Sequence, residues 1–153
     1  MDMVQTSLCY LERDGQYLML HRVKKEVDAN RDKWIGIGGK FEDRESPEDC
    51  ALREVQEETG LTMTDYRYRG IVTFVSDRWP TEYMHLFTCT GWTGTVNQDC
   101  DEGELVLFPQ AGVCRRNLDP GRAQREIHSM MKRECRKLRR SRCATWIIAE
   151  SKK

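Results

Sequence analysis

Histidine is scarce in this chain, paired cysteines are missing, and so is any long apolar run. Each shortage removes a class of explanation. Only three histidines (His21, His85 and His128) occur in 153 residues, none at ligand spacing to another, which argues against a zinc site. The seven cysteines, at 9, 50, 89, 100, 114, 135 and 143, include no Cys-x-x-Cys pair. An odd number at irregular spacing suits free thiols in a reducing cytoplasm better than a disulfide framework. No apolar run approaches the roughly 18 residues that a membrane span needs. The first residues lack the basic start and apolar stretch of a secretory leader. A cytoplasmic protein without membrane association is therefore expected. Repeats and low-complexity linkers are absent as well, so the length suits one domain, 1–153, able to bury a real core.

What is present is charge, unevenly placed. The 25 basic and 25 acidic residues cancel, which gives no global sign pointing to nucleic acid or membrane. Yet residues 1–104 hold 12 Lys+Arg against 21 Asp+Glu, a net of −9, while residues 105–153 hold 13 against 4, a net of +9. The segment 105–153 is an atypical basic end.

Hydrophobic alternation on either side of Asp14-Gly15 ("TSLCYLERDGQYLMLHR") predicts a hairpin. "KKEVDANRDKW" reads as a loop leading to "WIGIGGK". "GIVTFVSD" and "YMHLFTCTGW" predict strands divided at Trp79-Pro80, and "LVLF" a short strand before Pro109. One strong helix stands among these strands. Ser46 suits the N-cap, Pro47 the first helical position, Asp49 the capping-box position and Gly60 a left-handed stop. The mixture predicts an α/β or α+β domain.

The helix raises its own question, because Gly38–Leu61 packs eight acidic residues into twenty-four. At about 100° per residue, Ala51, Leu52, Val55 and Thr59 share one side. Glu54, Glu57 and Glu58 share another, with Arg53 at its edge. Like charges one turn apart repel. A merely solvated acidic face would interleave lysines and arginines for pairing, yet only Arg53 is there. Clustered carboxylates offer the hard oxygens that suit Mg²⁺ or Mn²⁺, and a cation would relieve the repulsion.

Gly39, Glu45, Arg53, Glu54, Val55, Glu57, Glu58, Gly60 and Leu61 fill every fixed position of G-x5-E-x7-R-E-U-x-E-E-x-G-U, where U is apolar. In this the chain resembles the Nudix hydrolase family. The chance of such a match is below roughly one in 10⁸ per starting position. The hairpin before the box and the strands after it resemble the MutT-like branch over about residues 4–110. The resemblance implies a Nudix-type α/β/α sandwich with a mixed sheet and a carboxylate-bearing helix. It implies Mg²⁺-dependent (or Mn²⁺-dependent) hydrolysis of a nucleoside triphosphate to a nucleoside monophosphate and pyrophosphate, an oxidised purine nucleotide being one candidate. Two alternatives stand beside it. One is a hydrolase of another nucleoside diphosphate-linked substrate, a nucleotide sugar or dinucleotide; the other is a non-catalytic nucleotide-binding module.

Carried onto this sequence, the resemblance makes Glu54, Glu57 and Glu58 metal-binding, with Glu58 foremost as direct ligand and Glu54 as ligand or positioner of the attacking water. The Gly38 carbonyl resembles a further ligand. Glycine at 38 and 39 would let the backbone come close to metal and phosphate. A later loop, "DCDEGEL", offers Glu102 or Glu104, with Glu102 preferred. Arg53 is expected to hold the glutamates through charge-assisted hydrogen bonds, and Glu45 to be structural. Arg22 and Lys40 are candidate phosphate contacts, Gly39 and Ile35 candidate substrate contacts. Relatives acting on oxidised purine triphosphates often read Trp-Asn-Gly where this chain reads Trp34-Ile35-Gly36. Ile35 presents an apolar surface in place of an amide.

After Pro109 the likeness ends. Ile127, Met131, Cys135 and Leu138 recur at helical spacing, predicting a helix over about 122–142 with Lys132, Arg133, Arg136, Lys137, Arg139 and Arg140 on its other face. A solvated closing helix that offsets the acidic body, a change of reading frame, and a nucleic-acid or acidic-partner surface are the three readings of this end. Nucleic acid is not the expected partner; a small-molecule nucleotide is.

Overall fold

Asp14-Gly15 forms the turn that its flanking alternation predicts. In the computed structural model, which describes residues 3–23, 34–77, 79–98, 100–109 and 144–150, both residues take positive φ, 53° and 72°. A tight two-residue hairpin needs that combination. The turn joins β1 (Met3–Arg13) to β2 (Gln16–Arg22), antiparallel with Leu11 opposite Leu18.

Six further elements follow: β3 (Trp34–Ile35), α1 (Pro47–Thr59), β4 (Thr62–Ser76), β5 (Thr81–Thr93), β6 (Gly103–Pro109) and β7 (Ala144–Glu150). Among the described residues the strands form one sheet in the order β3-β2-β1-β5-β4-β7, with β6 paired to β2. β1 with β5 and β4 with β7 run parallel, and the other pairings are antiparallel. The sheet is mixed, as expected.

Period-two alternation sorts the strand residues onto two faces. Cys9, Leu11, Leu18, Leu20, Ile35, Phe87 and Cys89 pack with Ala51, Val55 and Leu61, the side covered by α1. Leu8, Tyr10, Tyr17, Met19, Val72, Met84 and Leu86 form a second buried cluster on the opposite face. Fully burying such a side chain contributes about 1.5–3 kcal/mol. Cys9, Cys50, Cys89 and Cys100 are buried free thiols.

Helix α1 begins and ends where its sequence specifies. Ser46 Oγ accepts from the Asp49 backbone N–H at 3.1 Å, and the Asp49 carboxylate accepts from the Ser46 N–H at 3.3 Å. Gly60 takes φ 74° and its N–H reaches the Gln56 carbonyl at 2.9 Å. The division of faces differs from the expected one in a single respect. Glu58 lies with the buried residues, only 7% exposed. It follows Val55 by three residues and Ala51 by seven, so it shares their stripe as well as that of Glu54.

Two strands depart from the sequence reading. β4 starts at Thr62, eight residues before the expected Gly70, because irregularities between Met63 and Gly70 break the alternation that would reveal it. β7 was not expected at all. The expected helix over 122–142 lies outside the described residues.

Candidate active site

The glycine loop is laid along β1. Cys9 N–H donates to the Ile37 carbonyl at 2.6 Å, Ile37 N–H to the Cys9 carbonyl at 2.9 Å, and Ser7 N–H to the Gly39 carbonyl at 2.9 Å. A side-chain carbon on Gly38 would collide with the Ser7 carbonyl, and one on Gly39 with the Glu54 carboxylate. Gly38 is thus required by close packing against β1. At Gly39 the neighbour is the end of the Glu54 side chain, so a larger residue there would displace that carboxylate. Beneath the loop, Cys50 on α1 lies 3.1 Å from Ser7 Oγ, and its thiol donates to the Gly39 carbonyl at 3.5 Å. Burial pushes the Cys50 thiol up to about 11. The motif does not specify this contact.

Arg53 organises the acidic side. Its Nε and Nη2 form a fork on Glu45, at 2.6 Å and 2.9 Å, while Nη1 donates to Glu54 at 2.8 Å and to Glu57 at 3.1 Å. Nη2 also donates to the Lys40 carbonyl at 3.1 Å, tying the helix to the loop. The Arg53 hydrogen bonds hold the Glu45 carboxyl down at about 2 and raise the guanidinium further. The Lys40 side chain is exposed, and Lys40 meets this network only through its backbone. Glu57 is the exposed member, its side chain 59% accessible.

Glu54 and Glu58 are different. Desolvation raises the Glu54 carboxyl above its ordinary value despite Arg53. Desolvation raises Glu58 further still, with the charges of Glu102 and Glu54 adding to it. The structure therefore brings Glu102 to Glu58, while Glu104 is exposed on β6. Arg22, at the end of β2, donates to Glu102 at 2.8 Å. Ile35 is 5% exposed within the core cluster beneath α1. Trp34 beside it stacks on His21 with ring centroids 4.4 Å apart.

The NUDIX domain family matches residues 2–126. This chain belongs to the Nudix family. Among its relatives, the Nudix hydrolase YvcI of Bacillus subtilis is 32% identical over 117 residues, 74% of this chain and 70% of that protein. An 8-oxo-dGTP diphosphatase of Proteus vulgaris is 33% identical over 80 residues, 49% of this chain and 69% of that protein. A MutT protein from Bacillus halodurans superposes with a TM-score of 0.78 at 22% identity, covering 97% of this chain and 90% of that one. The E. coli ORF135 protein superposes with a TM-score of 0.73 at 21% identity, covering 92% and 96%. The chain is thus a Nudix hydrolase, an enzyme acting on phosphoric anhydrides in a family that generally uses divalent metal ions.

The Nudix carboxylates suit such an ion chemically. Glu58 Oε2 is buried without a hydrogen-bond partner, a costly state that a hard cation would resolve. Among the described residues, no three acidic, thiol or imidazole side chains are already disposed around one ion. Glu54 is turned to Arg53 and Glu102 to Arg22. The donor set fits a divalent cation; arginines meet the charges of Glu54 and Glu102, while the Glu58 oxygen has no partner. No helix among the described residues is long and apolar enough to cross a membrane.

Proposed function

We propose that this enzyme hydrolyses a nucleoside triphosphate with Mg²⁺, water and triphosphate giving a nucleoside monophosphate and pyrophosphate. The observation that carries the reading is the buried, unpartnered oxygen of Glu58, set among Glu54 and Glu102. Glu58, Glu54 and Glu102 would hold the cation, with Glu57 and the Gly38 carbonyl as further donors. Bound there, it supplies Lewis-acid charge and lowers the pKa of water. Desolvated Glu54 is the group to orient the attacking water and take its proton, and Arg53 keeps that carboxylate over Gly39. Lys40 and Arg22 are the residues to contact the polyphosphate.

The relative that acts on 8-oxo-dGTP makes an oxidised purine nucleotide the first substrate to try. Ile35 gives no support to that choice, since an apolar side chain cannot read a base edge by hydrogen bonding. A panel of ordinary and oxidised nucleoside triphosphates, nucleotide sugars and dinucleotides, assayed with Mg²⁺ and with chelator, tests the proposal. Metal-dependent release of pyrophosphate from a triphosphate is expected. Release of orthophosphate instead, or turnover confined to a sugar or dinucleotide substrate, overturns it.

A further inference from the structure

Arg22 and Glu102 lie 80 residues apart in sequence and meet at 2.8 Å, both mostly shielded from solvent (15% and 22% exposed). Their meeting is built into the backbone. β2 and β6 pair in a register that sets Arg22 opposite Gly103, next to Glu102. A side-chain carbon on Gly103 would collide with the His21 carbonyl, so the two strands are pressed together at this point. Glu102 lies against Glu58, whose other oxygen is buried and unpartnered. One arginine thus ends a line of two carboxylates, at the place where the cation of the proposed reaction would sit. A guanidinium and a divalent cation beside the same carboxylate compete for its charge.

We propose that Arg22 is the site's own counter-ion: it holds Glu102 while no divalent cation is bound, and is released to the substrate's phosphates when Glu102 turns its charge to one. Cation binding and polyphosphate binding are then linked through a single side chain. In the cation-free site Arg22 acts through Glu102; in the loaded site it contacts the phosphates. The linkage is reciprocal, so bound polyphosphate drawing Arg22 away also strengthens cation binding. The inference rests on the metal-dependent reading above and adds to it an order of charge exchange.

The test uses the whole chain and measures Mn²⁺ binding directly, by the loss of the free-ion paramagnetic signal, without substrate. Arg22→Gln removes the competitor and should bind Mn²⁺ about fivefold more tightly than the wild type, the effect of an ion pair of about 1 kcal/mol. The Mn²⁺-saturated variant should then bind tripolyphosphate about tenfold more weakly, for want of a charge-assisted contact. Arg22→Lys keeps a charge without the planar fork, and its Mn²⁺ affinity should fall between the two; it carries the test if Arg22→Gln does not fold. Equal or weaker Mn²⁺ affinity in the folded variants overturns the counter-ion role alone. Failure of the wild type to bind Mn²⁺ overturns the metal reading on which that role stands.

Discussion

Glu58 holds an acidic oxygen in the interior with nothing to receive it, and two expectations follow. Replacement by Gln keeps the shape and removes the charge that would meet a cation. We expect kcat to fall by about 10²-fold or more, equivalent to about 2.7 kcal/mol of transition-state stabilisation, while folding persists. Near-normal Mg²⁺-dependent turnover would remove Glu58 from the site. The second expectation concerns the cation-free protein. Its folded Glu58 carboxyl lies above the ordinary 4.5, so above pH 4.5 the folded chain binds more protons than the unfolded one. That contribution to stability is complete below 4.5 and is lost as pH rises toward the raised value. Melting temperatures in chelator should decline over this range less steeply for Glu58→Gln than for the wild type; parallel curves would contradict the shift. Ile35 presents the opposite case, an apolar side chain in a packed core. Ile35→Asn buries an amide there and should lower stability by about 2–4 kcal/mol, measurable by denaturant unfolding. A variant of unchanged stability with new selectivity for an oxidised purine would place residue 35 at the base instead.

Helix α1 is the element on which the site is mounted, and its start depends on few contacts. Ser46→Ala removes the acceptor for the Asp49 N–H and the hydroxyl's own bond to the Asp49 carboxylate at 2.6 Å, while the Ser46 backbone N–H keeps its partner. The expected cost is about 1 kcal/mol, or roughly 2–4 °C in melting temperature for a domain of this size. Ser46→Asp should recover most of it; if Ser46→Ala melts with the wild type, the cap is idle. This helix was legible from sequence because its signals are local: cap, first-turn proline and terminal glycine lie within fifteen residues. The same holds for the hairpin at Asp14-Gly15. β4 was legible only in its second half, since irregular pairing before Gly70 erases the alternation. Arg53's contacts with Glu54 and Glu57 could be anticipated from helical spacing, whereas its fork on Glu45, ahead of the helix, could not. The Arg22–Glu102 pair could not, because strand register between β2 and β6 creates it and no local pattern encodes that register. The inward position of Glu58 was missed for a related reason. Charge alone assigns it to the solvent face, whereas its spacing from Ala51 and Val55 assigns it to the seam.

Across the whole molecule the charge divides into an acidic body and a basic end, −9 over residues 1–104 and +9 over 105–153. Two observations join the halves. The family match runs on to residue 126, beyond Glu104, and β7 pairs with β4 in continuous register from Ala144 opposite Gly70 to Glu150 opposite Ser76. A seven-residue parallel strand in register is a demanding arrangement, since parallel partners cannot be joined by a tight turn and require a long crossover. We propose on this pairing that the basic end is part of the domain and not a stretch of shifted reading frame. A chain ending at Arg142 removes β7 and little else. It leaves the Gly70–Ser76 edge of β4 without its partner, a row of backbone donors and acceptors open to pairing with another chain. That row includes Val75, already 40% exposed. The shortened protein should melt at lower temperature and elute from size exclusion as concentration-dependent oligomers, with activity lost by unfolding and not by any change in metal requirement. An unaltered melting temperature and a single sharp peak would show that β7 stands outside the cooperative unit, and the basic end would then need an explanation apart from the sheet.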